Sequence, residues 1–427
     1  MRTSPFFTRN LLQAVAVTPV CLMTLLIGCS KTHDPAPVII DPVAFREIPA
    51  AQQENVAAVV QGNTAFACDL YQQLRTQDGN LFLSPYSVST GLAMAWAGAE
   101  GQTAAEMAQV LHIGLSQGAL HPAFGALQQS LDTGTSFGGY ELDIANQLWG
   151  QQGFAWSSDF LQVLQTDYAA PLQQLNFASG PELARVQIND WVAGKTSGKI
   201  TELMPAGTIT SKTVFALTDA IYFKGRWNAR FDKANTRNGS FQLASGAAVT
   251  VPFMAMNATL PSNLVDGVQI LEMPYQGKDL SMIILLPVAK DGLPALEAKL
   301  TPANLAAWTS KLTPVDDWLQ VPKFSFTSAF SLSDTLKAMG MPAAFDPISA
   351  DFSGMDGARD ISIQAVQHKA YVAVDEEGTV AAAATGIAGV TSAPPPFSVN
   401  HPFLFLILDK VTGSVLFLGR VNDPSLS

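Results

Sequence analysis

The segment between residues 375 and 408 constrains the fold of this chain more than any other. The acidic stretch Asp375-Glu376-Glu377-Gly378 is followed by small residues at positions 379–385, and then by a segment containing Gly, Ser and Pro up to position 396. The apolar run 403–408 has the composition of a buried strand. A long connection that begins with small side chains therefore joins the acidic stretch to a buried strand near the C-terminus.

Residues 379–386 present two different faces if they are extended, because side chains alternate along a strand. One face carries only small side chains: Thr379, Ala381, Ala383 and Thr385. The other carries Val380, Ala382, Ala384 and Gly386. The first face therefore has no bulky or charged group that would lose its hydration if that face were buried.

A helix is the alternative for this run, because four consecutive alanines are strong helix formers. Gly378 precedes the run, and Gly386, Gly389 and the prolines at 394–396 follow it. These residues limit any helix to about two turns. The extended interpretation is therefore the better one.

Further motifs follow one another along the chain. The longest are Asn80-Leu81-Phe82-Leu83-Ser84-Pro85-Tyr86-Ser87, a segment at 189–200 containing Asn189, Trp191, Val192, Thr196, Gly198, Lys199 and Ile200, and Ala220-Ile221-Tyr222-Phe223-Lys224-Gly225-Arg226-Trp227. Shorter ones include Asn63, Phe66, Ala67, Leu70 and Tyr71, then Val251-Pro252-Phe253-Met254, Met273-Pro274-Tyr275, residues 280–287, Val321-Pro322-Lys323-Phe324, Ala350-Asp351-Phe352-Ser353-Gly354-Met355 and Gly419-Arg420-Val421. Together with the segment at 375–408, this series resembles the serpins from about residue 63 to residue 424.

The resemblance implies an α+β serpin fold: a large central mixed β-sheet with further sheets, about eight or nine helices and an exposed reactive-centre loop at about 375–400. The hydrophobic fraction of 48% over 427 residues agrees with one large globular unit. Strand-like runs at 214–223, 282–286, 403–408 and 415–418 alternate with helix-like stretches at 55–73 and 87–112. That alternation is typical of a mixed fold.

The resemblance also implies a function, suicide-substrate inhibition of a protease. In such a protein the hinge inserts into the central sheet after the loop is cut, and its residues here are Glu376, Glu377, Gly378, Thr379, Val380, Ala381, Ala382, Ala383, Ala384 and Thr385. Val380 replaces the Glu that is usual in the family. The alternative is a non-inhibitory serpin, acting as a binding or chaperone-like surface lipoprotein. Enzymatic activity is not expected.

Two counts bracket the reactive bond by resemblance. Inhibitory serpins usually place the residue before the cut bond fourteen positions beyond the hinge glycine, and this count from Gly378 gives Ser392. Counting back eleven positions from the proline of the following strand, Pro402, gives Thr391. The predicted bond is Thr391–Ser392, with Val390 and Ala393 as the neighbouring alternatives. Since no Arg or Lys lies between residues 375 and 409, elastase-like or subtilisin-like serine proteases fit better than trypsin-like ones. A papain-like cysteine protease is a further candidate target.

Four residues match the family's shutter, the hydrogen-bonded cluster that keeps the central sheet closed. They are Ser84, Ser87, Asp219 and His368, which we call the shutter cluster. Asp219 replaces the family's usual Asn. We expect an Asp–His pair in which a charged His368 strengthens the closed sheet and makes insertion depend on pH.

The N-terminal residues have the pattern of an export signal. Arg2 and Arg9 precede an apolar run that ends at Leu26-Ile27-Gly28-Cys29, which resembles a bacterial lipobox. The predicted organisation is a lipoprotein signal peptide at 1–28, a lipidated Cys29 with a proline-containing tether up to 49, and the serpin domain at 50–427. By resemblance to lipoprotein sorting in Gram-negative bacteria, Ser30 after the cysteine favours the outer membrane, and the face of the membrane is left open.

Composition excludes several other functions. Removing residues 1–28 takes away two cations and no acid, so the formal charge changes from −11 to −13 (22 cations against 35 acids). Nucleic acid is therefore not an expected partner. Only Cys68 remains besides Cys29, and the histidines lack ligand spacing, so neither a disulfide nor a metal or other cofactor is expected. The partners expected are target proteases and, through Cys29, a membrane, with the chain itself a monomer.

Overall fold

The computed structural model describes residues 46–135, 139–378 and 397–426. These residues contain ten α-helices and fourteen strands in a mixed α+β arrangement. The helices are α1 Gln53–Leu74, α2 Pro85–Trp96, α3 Gly101–Val110, α4 Gln117–Thr135, α5 Ser158–Asp167, α6 Pro181–Lys195, α7 Leu293–Ala298, α8 Pro302–Thr309, α9 Ser333–Met339 and α10 Ser353–Asp356. The predicted number, eight or nine, is close, and α7 and α10 are short, with 6 and 4 residues.

The strands form two sheets. They are β1 Leu81–Leu83, β2 Tyr140–Gln151, β3 Gln173–Leu175, β4 Phe215–Gly225, β5 Arg237–Gln242, β6 Ala248–Val265, β7 Val268–Pro274, β8 Leu280–Pro287, β9 Thr313–Pro322, β10 Phe324–Ser331, β11 Val366–Val374, β12 Phe397–Ser398, β13 Phe403–Asp409 and β14 Val415–Val421. A nine-stranded sheet has the order β1-β14-β13-β8-β7-β6-β9-β12, with β5 paired to β6. A five-stranded mixed sheet has the order β10-β11-β4-β2-β3.

Helix α2 lies in the core, and all of its residues are buried. Its sequence permits this because its side chains are apolar or small, and because its start is capped. The Ser84 side chain accepts a hydrogen bond from Ser87 N–H, and Pro85 occupies the first turn. The cap places Ser84 and Ser87 at a fixed position behind the five-stranded sheet.

The helix predicted at 87–112 is two helices, α2 and α3. The chain bends after Trp96 because Gly98 lies directly against Met355, where a Cβ atom would come within 2.2 Å of Met355 Cγ. Gly101 then starts α3 with a φ of +52°, a conformation that favours glycine. Helical periodicity alone does not show such a bend.

The folded domain includes Arg46, which the sequence places in the tether. Its side chain is buried, with Nη1 2.9 Å from Asp279 Oδ2 and 3.0 Å from Asp409 Oδ1. Its Nε donates to the carbonyl of Ser130 at 2.9 Å. The domain therefore begins at least four residues before the predicted boundary at 50.

His121 on α4 gives the fold a pH-dependent component. The ring is 2% exposed, Nδ1 lies 2.8 Å from the Tyr168 hydroxyl, and burial lowers the pKa of His121 to about 4. Because the folded state favours the neutral ring, this stabilisation is complete above about pH 6.5 and is lost as the pH falls towards 4. The loss amounts to at most about 3 kcal/mol.

We expect the H121F variant to show this loss by difference. Between pH 7 and about pH 4.5 the melting temperature of wild type should fall by a few degrees more than that of the variant, because only the wild type has a buried ring whose protonation opposes folding. Thermal unfolding followed by circular dichroism at the two pH values measures it. A difference in melting temperature between the two proteins that is independent of pH would contradict the burial argument.

Candidate functional site

The centre of the five-stranded sheet is a parallel pair, β4 and β11. Residues 217–222 of β4 lie in register with residues 366–371 of β11. Beyond Tyr222 and Tyr371 both strands continue, to Gly225 and Val374, without further pairing to each other. The pair is therefore already separated at the end where β11 runs into the segment 375–378.

The backbone of residues 375–378 is held against the turn that follows β4. Trp227 N–H donates to Glu377 O at 2.9 Å, and its indole N–H donates to Asp375 O at 2.9 Å. Phe231 N–H donates to Glu376 O at 3.0 Å. Gly378, at the end of this contact, is the last described residue before Phe397.

Gly378 fits this contact because it has no side chain. Its φ is +149°, in the region that favours glycine, and it forms an isolated bridge with Arg226. A Cβ atom would lie 1.9 Å from the carbonyl oxygen of Gly225. Any other residue would push the segment away from the end of β4.

The two glutamates before Gly378 are paired, although their side chains are almost fully buried. Glu376 lies 2.7 Å from Lys323 Nζ and accepts a 2.7 Å hydrogen bond from Thr236. Burial raises the pKa of Glu376, but the hydrogen bonds from Lys323 and Thr236 outweigh it and hold the pKa below its usual value. Glu377 lies 2.6 Å from Lys233 Nζ. The acidic residues thus fasten the base of the loop to Lys323, between β9 and β10, and to the segment between β4 and β5.

The structure brings the four residues of the predicted shutter cluster together behind the β4–β11 pair. Ser84 N–H lies 3.0 Å from His368 Nε2, and His368 Nδ1 lies 2.8 Å from Asp219 Oδ1. Ser84 Oγ donates to Leu416 O at 2.7 Å. All four residues have 0–1% exposure. The start of α2 is therefore bonded to β11 through His368 and to β14 through Leu416.

The hydrogen bonds of His368 differ from the charged state expected from the sequence. Because a backbone N–H can only donate, His368 Nε2 must accept from Ser84 and carry no proton. The proton then lies on Nδ1 and is donated to Asp219, so the ring is neutral. Protonating Nε2 would place two donors face to face. The effect of a charged His368 on the closed sheet, and the pH dependence of insertion, stay predictions.

Asn146 on β2 belongs to the same cluster and is absent from the sequence prediction. It accepts from Ser87 Oγ at 2.7 Å and donates to Ser87 O at 2.8 Å. No local sequence signal marks it, because Gln147 beside it is also a polar amide and its partner Ser87 lies 59 positions away. Through Asn146, α2 is bonded to the strands on one side of the central pair, and through His368 to those on the other.

Other predicted site residues lie outside the described part of the chain. They include the hinge from Thr379 to Thr385, the candidate bonds between Val390 and Ala393, and Cys29. Cys68 is buried, and burial raises the pKa of its thiol to about 12, which does not favour a reactive thiolate. Among the described residues no group of His, Cys, Asp and Glu has the arrangement of a metal site.

Known proteins resemble this chain over most of its length. Residues 61–424 match the family model described as Serpin (serine protease inhibitor). Human Serpin B3 is 38% identical over 390 residues, covering 85% of this chain and 99% of that protein. The leukocyte elastase inhibitor of Xenopus tropicalis is 39% identical over 371 residues, covering 84% and 98%.

Solved structures agree with this result. Maspin is 28% identical with a TM-score of 0.79, and the match covers 87% of this chain and 100% of that one. Serpin48 of the insect Tenebrio molitor is 30% identical with a TM-score of 0.78, covering 88% and 99%. The chain therefore belongs to the serpin family, and the predicted α+β serpin fold is confirmed.

Proposed function

We propose that this protein is a suicide-substrate inhibitor of proteases. The observation that carries the proposal is the position of residues 375–378, which continue directly from β11 and lie where β4 and β11 have already separated. Because β4 and β11 are parallel, one strand that folds back from the end of β11 pairs with both of them in the antiparallel sense. Antiparallel pairing is slightly more stable per residue than the parallel pairing it replaces.

The chemical step belongs to the target enzyme. The nucleophile of the protease attacks the carbonyl carbon of Thr391, the bond to the Ser392 nitrogen breaks, and the new amine leaves with the C-terminal part. The protease stays bound to Thr391 as an acyl-enzyme. Released at one end, the segment from Thr379 onward inserts between β4 and β11 and carries the protease with it before the ester is hydrolysed.

Insertion requires that the hydrogen bonds around the central pair open. Separating β4 from β11 breaks the bond between Asp219 and His368 directly. It also strains α2, because that helix is bonded to Asn146 on one side and to His368 on the other. The shutter cluster and Asn146 therefore contribute to the kinetic barrier that keeps the uncut protein in its native form.

Small side chains at the predicted bond favour particular targets. Val390, Thr391, Ser392 and Ala393 are small and uncharged, so a protease with a shallow, apolar pocket accepts them more readily than one that requires a cation. We therefore propose elastase-like or subtilisin-like serine proteases, with papain-like cysteine proteases as a second class. The similarity to leukocyte elastase inhibitors supports this order.

Mixing the domain from Ala44 onward with pancreatic elastase, subtilisin and trypsin tests the proposal. Denaturing gels should show a complex that survives denaturation with elastase or subtilisin, and mass spectrometry should find a C-terminal peptide that starts at Ser392 or a neighbour. Clean cleavage by every protease, without a complex, would place the protein among non-inhibitory serpins that are cut as substrates.

The shutter cluster offers a matched pair of variants. We expect S87A to convert spontaneously to the inserted, heat-resistant form about tenfold faster than wild type, because losing the bond to Asn146 costs on the order of 1–2 kcal/mol of the barrier. S89A removes a comparable buried bond, from Ser89 to Asn63 on α1, and should leave the rate nearly unchanged. Residual activity against time at elevated temperature measures both, and equal acceleration would contradict the assigned role.

We also propose that Cys29 is lipidated after export and anchors the protein to a membrane, the outer membrane of a bacterial cell. Its position at the end of the apolar run supports this. Among the described residues, no helix is long and apolar enough to span a bilayer. Wild-type protein expressed in a bacterial host should partition into detergent and incorporate labelled fatty acid, whereas C29S should do neither. Labelling of the variant would refute the assignment.

A further inference from the structure

A cavity of about 320 Å³ lies along the unpaired edge of β2. Strand β3 pairs with β2 only at residues 149–151, so residues 140–148 lack a partner strand on that side within the described part of the chain. The cavity extends around this edge, from α2 and α4 on one face of the sheet to α6 on the other. Its volume is at the lower limit of small-molecule sites in proteins.

Polar groups without charge dominate the lining of this edge cavity. Gln128, Asn146, Gln147 and Gln173 contribute side-chain amides, and no carboxylate occurs among its described lining residues. The Gln128 amide makes no hydrogen bond within the described part of the structure. Gln147 Nε2 already donates to the carbonyls of Leu148 and Pro171, so Gln147 offers a ligand hydroxyl its Oε1 acceptor, whereas Gln128 can both donate and accept.

One cation and one indole ring complete the lining on α6. Lys195 Nζ lies 5.8 Å from the centre of the Trp191 ring. The amine also interacts electrostatically with Asp143, which does not line the cavity. An ammonium group next to an aromatic face and several amides suits a small ring that carries hydroxyl groups and one carboxylate.

We propose that the edge cavity binds a small hydroxylated carboxylate of the sugar-acid class. The carboxylate pairs with Lys195, the ring lies beside Trp191, and the hydroxyl groups bond to Gln128 and donate to Gln147 Oε1. Asn146 forms part of the cavity wall and is also bonded to Ser87 at the start of α2. A bound ligand therefore joins β2 to α2 and α4 beside the shutter cluster.

Binding is measured by isothermal titration calorimetry with D-glucuronate as the probe. We expect one site with a dissociation constant of roughly 1 mM, which is the affinity expected of a ligand of about thirteen non-hydrogen atoms. Lys195 is exposed, so K195Q should weaken binding about fivefold, as should replacing glucuronate by D-glucose. Q128L should weaken binding by a similar factor. K212Q removes an exposed cation outside the cavity and should bind as wild type does.

Two results would overturn the proposal: no saturable binding up to about fifty times the expected constant, or equal binding by wild type and K195Q. The methyl glycoside of glucuronate distinguishes two candidate natural ligands, the end residue of an acidic polysaccharide and the free sugar acid. Equal binding indicates the end residue of an acidic polysaccharide, and loss of binding indicates the free sugar acid.

The effect on inhibition rests on the proposed function, whereas the binding measurement does not. If opening of the sheet requires that the ligand leave, glucuronate at ten times its dissociation constant should slow insertion about tenfold and raise the stoichiometry of inhibition. If glucuronate binds but does not slow insertion, the edge cavity is not coupled to the shutter cluster through Asn146. Failure to inhibit any protease would leave the titration result unaffected, so the two proposals fail separately.

Discussion

The A383R variant is expected to be cut normally by an elastase-like protease and to form no stable complex with it. Position 383 lies on the uniformly small face of residues 379–385, the face that enters the sheet between β4 and β11 in the proposed mechanism. An arginine there would be buried without a partner, at a cost of at least about 3 kcal/mol. Insertion should then slow by about 100-fold or more, and hydrolysis of the acyl-enzyme should finish first. The stoichiometry of inhibition and denaturing gels measure the outcome.

A384R is the matched control, because the same substitution one position later falls on the opposite face. That side chain remains in solvent after insertion, so A384R should retain most of its inhibition. Similar loss in both variants would mean that residues 379–385 do not insert as a strand with this orientation. Retained inhibition in A383R would contradict burial of this face in the sheet, on which the proposed function depends.

The E376K variant is expected to lose its native form about tenfold faster than wild type. Glu376 is fastened by Lys323 and Thr236, and reversing its charge places two ammonium groups next to each other at the base of the loop. Because Lys323 is about one third exposed, solvent reduces the penalty to on the order of 1–2 kcal/mol. Loss of inhibitory activity and of the monomer during incubation, followed by size-exclusion chromatography, measures the rate.

The double variant K323E/E376K restores opposite charges and should recover a large part of the lost lifetime. D334K reverses one charge of an exposed pair with Lys337 and should behave as wild type does. A lifetime of the double variant no longer than that of E376K would show that charge complementarity at this contact is not what retains the hinge.

The fold could be predicted from the sequence because its motifs are long and occur in one order. Predicted strands at 214–223, 282–286, 403–408 and 415–418 correspond to β4, β8, β13 and β14. The bend between α2 and α3 could not be predicted, since it depends on Met355, which is more than 250 positions away in the sequence. Periodicity contains information about neighbours along the chain and none about such contacts.

The site was predictable only in part, for the same reason. Ser84, Ser87, Asp219 and His368 can be found by motif, yet the protonation of His368 depends on the direction of one backbone N–H, that of Ser84. Asn146 and Arg46 have no local signature, because the partners that bury them come from other parts of the chain. The roles of the hinge and of the bond at 391–392 stay predictions.

The most direct test of the central claim is a crystal structure of the domain after elastase has cut its loop. The account predicts that residues from Thr379 onward form a new strand between β4 and β11, antiparallel to both, so that the five-stranded sheet has six strands. The bond between His368 and Asp219 should be broken in that structure. A cut protein in which residues 217–222 remain paired with residues 366–371 would contradict the account.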